Sequence, residues 1–255
     1  MTTPKPQSQE FVWKHEYTKV AVAVFMIIVL GTGGMAIMSF LKSNKEIKAA
    51  DSLYKIEKDF EKRKEGFAKA EMPPAPPTPK KEGETQPEPP GKKASGDLGQ
   101  DYGDLITQFE TVIKEHPGTQ ASLFAALNVA GLQSSYKKIA EALETLGKVD
   151  KGVKSSSVLG ALVLNMKASL LANSGDCKAA IRIWEPMNKE QALQFMHEDF
   201  SLRLGLCHES LGDLKKAEEL YTNTANNDRN SVAARAAQKY LRILKSKLSP
   251  APQAG

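Results

Sequence analysis

The chain opens with one long apolar segment. From Val20 to Leu41 the sequence VAVAVFMIIVLGTGGMAIMSFL contains no charged residue and is bounded by Lys19 and Lys42. As an α-helix, these 22 residues would extend roughly 33 Å, enough to cross a hydrocarbon core of about 30 Å. A cleaved signal peptide has a shorter apolar region and a small-residue cleavage site, whereas polar residues follow directly here. The pattern predicts an uncleaved single-pass transmembrane helix over 20–41, behind a short tail over 1–19.

A charged juxtamembrane helix is predicted over 42–71. Its apolar residues recur at steps of four, three, four and seven, so they share one side of a helix; they are Ala49, Leu53, Ile56, Phe60 and Phe67. Two interpretations fit this stripe. It is either a short coiled-coil seam or the sparse apolar side of a solvated extension of the anchor.

Proline dominates the next stretch, over 72–103. Eight of the 14 prolines of the chain lie there. Proline lacks a backbone donor and favours the polyproline II conformation, so the stretch predicts a semi-extended linker rather than part of a core. Its role would be to hold the C-terminal domain away from the bilayer. The alternative is a proline motif that binds an SH3-like partner.

The remainder of the chain, over 104–248, has the spacing of helices. Apolar residues recur every three or four positions, without the alternating β-branched runs of strands. We predict helices at 103–115, 119–133, 136–148, 155–173, 176–187, 197–211, 213–226 and 230–247. Turn residues separate them, and Asp176 and Asp213 stand where an N-cap is needed. Residues 249–255 form a short tail.

An internal repeat appears when Gly175-Asp176 is superposed on Gly212-Asp213, a period of 37 residues. This shift carries Ala168, Ala180 and Trp184 onto Gly205, Ala217 and Tyr221. Small residues in both helices of a pair, followed by an aromatic residue one turn later, are typical of tetratricopeptide-like hairpins. The pattern departs from that motif at Ser201, Thr224 and Arg229.

The repeat predicts an all-α fold class. After the transmembrane helix and the linker comes an α-solenoid of three degenerate tetratricopeptide-like hairpins, over 119–148, 155–187 and 197–226. A capping helix over 230–247 completes it. The first hairpin is about one turn shorter than the others, because its second helix matches only if four residues are omitted. The alternative is a helical bundle without repeats.

The net charge of +5 does not indicate a nucleic-acid partner. It divides into +1 over 1–19, +2 over 42–71, −1 over 72–103 and +3 over 104–248. A nucleic-acid interface usually shows a basic stripe with stacking aromatics, and this distribution shows none. We expect ordinary solvated surfaces.

The residues also give no indication of an enzyme, a metal site or a cofactor. The histidines, His15, His116, His197 and His208, form no ligand cluster. Two cysteines, Cys177 and Cys207, are too few for a Cys₄ zinc site or a disulfide-stapled mini-domain. We expect them to pack as small core residues, and they do not indicate a compartment. Nothing in the sequence resembles a nucleophile elbow, a phosphate loop or a carboxylate pair on a defined scaffold.

In the order of its parts, the sequence resembles the ancillary SecYEG translocon subunit (YfgM-like) family. The resemblance begins with Phe11-Val12-Trp13, the anchor with its Gly-rich second half and the charged helix. It continues in the repeats with Phe124-Ala125-Ala126-Leu127 and with the units that begin at Gly175-Asp176 and Gly212-Asp213. The long proline stretch departs from the usual family arrangement.

The resemblance implies a single-pass protein of the bacterial inner membrane with a periplasmic repeat domain. It implies a non-enzymatic role beside the Sec translocon, assisting the folding of exported proteins with a membrane-anchored isomerase-type chaperone. It also implies an N-in, C-out topology. The lysines around the anchor favour the opposite one, since three precede it and five follow within about 20 residues.

A stacked-hairpin array binds an extended peptide or a partner helix in the groove of its first helices. On the resemblance, Asn128, Asn165 and Arg203 are candidates for that face. The alternative for each is a polar residue at the surface that binds nothing. Two other functions fit the same parts. One is a structural scaffold of a cell-envelope complex, and the other is a cytosol-facing receptor for chaperones or secretion clients.

Overall fold

In the computed structural model, the residues described are 42–71, 93–150, 153–228 and 230–248, and the part of the chain within these ranges is helical without strands. The helices are α1 (42–71), α2 (Leu98–Glu115), α3 (Gln120–Ser135), α4 (Ile139–Gly147), α5 (Val158–Asn173), α6 (Cys177–Met187), α7 (His197–Ser210), α8 (Leu214–Asn227) and α9 (Val232–Leu248). A 3₁₀ helix, Gln191–Met196, precedes α7. The chain divides into two compact units, 1–48 and 49–255. Residues 42–48 are the described part of the first.

Side-chain caps begin most of these helices. Asp176 and Asp213 accept hydrogen bonds from the backbone N–H groups of Ala179 and Lys216, which confirms both predicted caps. The glycines before them, Gly175 and Gly212, have φ of +92° and +81°. Such values favour glycine, so the repeated Gly-Asp pair ends one helix and caps the next.

The predicted hairpins are confirmed. Helix α3 packs on α4, α5 on α6 and α7 on α8, and α9 packs against both α7 and α8. The hairpins also contact each other through the pairs α3 and α5, α4 and α5, and α6 and α7. The repeat residues Ala168, Ala180 and Ala217 are fully buried, as are the aromatic rings of Trp184 and Tyr221.

Helix α1 is neither a coiled-coil seam nor a solvated extension over its residues 49–71. The stripe formed by Ala49, Leu53, Ile56 and Phe60 is buried against α2 and α3. Later residues of α1 meet earlier residues of α2, since Arg63 pairs with Asp104 and the Phe60 ring contacts Phe109. Helices α1 and α2 therefore form an additional antiparallel hairpin ahead of the predicted three.

This hairpin corrects the predicted domain and linker boundaries. Helix α2 begins at Leu98 rather than near 103, because the Asp97 carboxylate accepts the N–H of Gln100 and Leu98 and Tyr102 are buried. The helical domain includes α1 from residue 49 and does not begin at 104. The proline stretch lies in the sequence between two helices that pack together, so it does not separate α1 from the domain. Most of it lies outside the described residues.

The two cysteines are joined to each other in the core. Cys177, the first residue of α6, forms a disulfide with Cys207 of α7, with their Cα atoms 5.1 Å apart. Both residues are buried in one core with Trp184 and Phe200. The disulfide crosslinks successive hairpins. The expected packing of both cysteines in the core is confirmed, and their pairing is a contact that the sequence left open.

The predicted transmembrane helix over 20–41 and both predicted tails, 1–19 and 249–255, lie outside the described residues. Among the helices that the structure does describe, none combines the length and apolar character needed to cross a membrane.

Candidate protein-interaction surface

The odd-numbered helices α3, α5 and α7 are the first helices of the three predicted hairpins, and each carries residues that the fold leaves exposed or half-buried. These residues are Phe124 and Asn128 on α3, Val158, Leu162 and Asn165 on α5, and Arg203 on α7. Other residues of the same helices are buried. Ala125 and Val129 share a core with residues of α1 and α2, and Val163 and Leu170 share a core with residues of α3 and α4. We call the surface that carries the exposed and half-buried residues the odd-helix face.

Large apolar side chains are exposed on the odd-helix face. The exposed fractions are 44% for Phe124, 54% for Val158 and 40% for Leu162. Val158 and Leu162 are four residues apart and Phe124 lies on the neighbouring odd-numbered helix. Val158 and Leu162 share one side of α5, and exposed apolar side chains that are grouped on a surface are typical of sites that contact another molecule.

The structure brings Asn165 and Arg203 together around Trp184. The indole N–H of Trp184 donates to Asn165 Oδ1 at 2.8 Å, and the Arg203 guanidinium lies 5.9 Å from the ring centroid. Arg203 also donates to Asp199 at 2.7 Å and to Ser169 of α5 at 3.2 Å. Asn165 thus provides the acceptor for the indole N–H of the buried Trp184. Arg203 of α7 joins α7 to α5 through its hydrogen bond to Ser169.

Asn128 is not part of this cluster. It lies in a groove of about 420 Å³ between α1 and α3. The floor and walls of this groove hold aromatic rings in edge-to-face contact, with Tyr102 5.8 Å from Phe60, 5.5 Å from Phe67 and 6.2 Å from Tyr136 between ring centroids. We call it the aromatic groove. Its remaining lining residues are Lys64, Glu71, Ala94, Leu127, Gly131, Leu132 and Ser135.

A buried carboxylate supports one wall of the aromatic groove. Asp101 is 3% exposed and accepts the Tyr136 hydroxyl at 2.8 Å and the N–H groups of Ser95 and Gly96 at 2.8 and 3.1 Å. Burial acts to raise the pKa of Asp101, but these hydrogen bonds outweigh it and lower the pKa to about 2. Burial and the bond to Asp101 both raise the pKa of Tyr136. Asp101 thereby joins Tyr136 to the chain just before α2.

A second cleft, of about 380 Å³, lies between α7 and α9. Leu206 and Ser210 line it from α7, and Tyr240, Ile243 and Lys247 from α9. Beside it, Glu209 accepts hydrogen bonds from Lys247 and from the Tyr221 hydroxyl, both at 2.9 Å. The bond from Lys247 is the main cause of the lowered pKa of Glu209. This carboxylate joins α7, α8 and α9.

Two of the histidines inside the described ranges, His197 and His208, lie within hydrogen-bond distance of an oxygen atom of another residue. The Nε2 atom of His197 lies 2.9 Å from the Glu190 carbonyl, and the Nδ1 atom of His208 lies 3.2 Å from Asp213. Within those same ranges, no group of three or more histidine, cysteine or acidic residues is arranged to hold a metal ion. His15 lies outside them.

The aromatic groove was missed by sequence reasoning. The sequence predicts the stripe that includes Phe60 and Phe67, but its partner Tyr102 falls within the predicted linker over 72–103. The sequence feature that indicates the true start of α2 is Asp97, a typical N-cap residue, followed by the apolar residues Leu98 and Tyr102 on one side of the helix. It places the start of α2 before the predicted position near 103.

Comparison with known proteins gives likeness of fold alone. No family model matches the sequence, and no curated protein matches it at a significant level. One similar solved structure is the putative kinesin light chain nearly identical TPR-like repeats of Podosopora anserina, with 15% identity and a TM-score of 0.48 over 58% of this chain and 79% of that one. A second structure of those repeats, carrying a glutamine-to-methionine substitution, has 16% identity and a TM-score of 0.49 over the same shares. MamA has 20% identity and a TM-score of 0.43 over 62% of this chain and 96% of its own.

Proposed function

We propose that this protein is a membrane-anchored, tetratricopeptide-like protein–protein interaction module that binds other proteins through its odd-helix face. The exposed side chains of Phe124, Val158 and Leu162 on that face carry the proposal. Their apolar area is not covered by the fold, and burying it against a partner would remove it from water at a gain of about 25 cal/mol per Å².

We further propose that the domain lies in the periplasm, behind an anchor over 20–41. The disulfide between Cys177 and Cys207 supports this placement, because disulfides persist in oxidising compartments and are rare in the reducing cytosol. The sequence resemblance to the YfgM-like family supports the same N-in, C-out topology. The lysine distribution favours the opposite orientation, but long domains translocate largely regardless of such charges.

The proposed partner is the Sec translocon, with a membrane-anchored isomerase-type chaperone beside it, and the proposed role is to assist the folding of exported proteins. The order of parts in the sequence supports this choice. The packing of α1 also supports this choice. Residues 49–71 of α1, which follow the predicted anchor in the sequence, are part of the repeat domain. The proline-rich stretch comes after α1, so it does not lie between the predicted anchor and that domain in the sequence.

The compartment is tested by proteolysis of intact spheroplasts, together with alkylation of free thiols before lysis. We expect the repeat domain to be digested from outside and Cys177 and Cys207 to resist alkylation. Protection of the domain, with both thiols alkylated, would contradict the periplasmic placement and support the cytosol-facing receptor. A periplasmic marker protein and a cytosolic one serve as controls.

The binding face and the partner are tested by site-specific photocrosslinking in living cells. A photoreactive residue at Phe124 or Leu162 should capture a translocon subunit or a chaperone. The same residue at Glu185, exposed on the even-numbered helix α6, is the matched control and should not. Equal capture from Glu185 would refute the odd-helix face. Capture of cell-envelope structural proteins alone would refute the translocon role in favour of the scaffold.

A further inference from the structure

The aromatic groove has a structural relation to the proline-rich sequence of the same chain. Glu71, at the end of α1, and Ala94, just before α2, both line this groove. The residues between them in the sequence include Pro73, Pro74, Pro76, Pro77 and Pro79. The chain therefore leaves α1 at the groove and returns to the same groove before α2.

The chemistry of the groove fits a polyproline II ligand. Such segments bind in grooves lined by aromatic rings, because the preformed left-handed helix loses little entropy and its proline rings pack against aromatic faces and edges. Here Phe67 and Tyr136 are partly exposed at the groove, and Tyr102 contacts both rings. Asn128 adds an amide that can donate to or accept from a peptide backbone.

The dimensions also agree. The α1 wall runs from Phe60 to Glu71, about 16 Å at 1.5 Å per residue. A polyproline II helix covers that length with about five residues at 3.1 Å each. The sequence over 73–79 is PPAPPTP, which supplies enough residues to fill the groove.

We propose that the aromatic groove binds the chain's own residues 73–79 as an intramolecular ligand. This goes beyond the proposed function, because it assigns an occupant to a groove that shares Asn128 with the odd-helix face. A partner with a similar proline-rich segment would have to displace the chain's own.

The connection is long enough for this arrangement. If 73–79 occupy the groove, residues 80–92 remain to return the chain to Lys93. Thirteen residues can span at most about 43 Å, more than twice the estimated length of the groove wall. A tether of this size holds its ligand at an effective concentration in the millimolar range, so even an intrinsic Kd near 100 μM would keep the groove mostly occupied.

The test compares the wild-type full-length protein in detergent with a variant whose residues 73–90 are replaced by a Gly/Ser sequence of equal length. The probe is a fluorescent synthetic peptide with the sequence of residues 72–92, and the readout is its anisotropy. We expect the peptide to bind the replaced variant and to bind wild type about tenfold more weakly, because the attached segment competes at its effective concentration.

Two further variants identify the site, and thermal unfolding checks that each is folded. Phe67→Ala in the Gly/Ser background should abolish peptide binding. Phe195→Ala in that background, which removes an aromatic side chain exposed to 69% on the 3₁₀ helix, should leave it unchanged. A peptide with alanine in place of its prolines should not bind.

Three results would overturn the proposal. If the peptide binds neither protein, the groove does not recognise this sequence. If it binds wild type and the replaced variant equally, the attached segment does not occupy the groove, and a proline segment from a second molecule becomes the better occupant. If Phe67→Ala binds as well as its parent, the peptide binds elsewhere.

Discussion

Gly205 of α7 lies against the ring of Tyr221 of α8, where a Cβ on the glycine would stand 2.5 Å from Cε1. The ring cannot move aside easily. It is fully buried, stacks on Tyr240 at 5.8 Å between centroids, and its hydroxyl donates to Glu209. The close approach of α7 and α8 therefore depends on the absence of a side chain at 205.

Gly205→Ala should destabilise the protein. Overpacking costs about 1–3 kcal/mol, and the better helix propensity of alanine returns about 1 kcal/mol, so we expect a net loss of up to about 2 kcal/mol. The measurement is urea unfolding of the full-length protein in detergent. Gly103→Ala is the matched control, because a Cβ there meets nothing within 4 Å, and it should be neutral or slightly stabilising. Equal effects of both substitutions would contradict this packing argument.

The disulfide should contribute about 3 kcal/mol to stability. Cys177 and Cys207 are 30 residues apart, and closing a loop of that size restricts the unfolded chain by roughly 3–4 kcal/mol in the loop-entropy treatment. Unfolding with and without a reductant measures the difference. The Cys177→Ala/Cys207→Ala double variant should show the reduced stability and no response to reductant. Identical wild-type curves under both conditions would show that the crosslink does not contribute.

Asp101 should make stability fall in acid. Its folded-state pKa of about 2 lies below the ordinary value of 3.8, so its contribution is complete above about pH 4 and is lost as the pH falls toward 2. Asp101→Asn should lower the melting temperature at pH 7. The gap from wild type should narrow between pH 4 and pH 2, where wild type also loses the carboxylate. Asp51→Asn, at an exposed position of α1, is the control. A gap that stays constant down to pH 2 would contradict the assignment.

Asn165 and Asn128 should differ in their effect on folding. Asn165→Ala leaves the buried indole N–H of Trp184 without its acceptor, which costs about 1–3 kcal/mol. Asn128→Ala changes a residue lining the aromatic groove and should alter stability by less than about 0.5 kcal/mol. Thermal or urea unfolding compares the two variants. A similar loss in both would show that Asn128 also supports the fold.

Local sequence determined the helices and their ends. The caps at Asp176 and Asp213 act on N–H groups three residues away, and the spacing of Ala180 and Trp184 places both on one side of a single helix. Such features depend on neighbours within one or two turns. For that reason the hairpins α3–α4, α5–α6 and α7–α8 and the final helix were predictable.

Only the tertiary structure decided what the apolar stripe of α1 contacts and that Cys177 pairs with Cys207. It also decided that Asn165 accepts a hydrogen bond from Trp184, whereas Asn128 lines the aromatic groove. Each of these depends on residues far apart in the sequence that meet when the hairpins stack. A stripe of apolar residues shows that one side of a helix needs covering, but it does not identify the partner that covers it. The partner of α1 lies beyond a proline-rich stretch, so its pairing with α2 is a non-local contact that no periodicity in the sequence reveals.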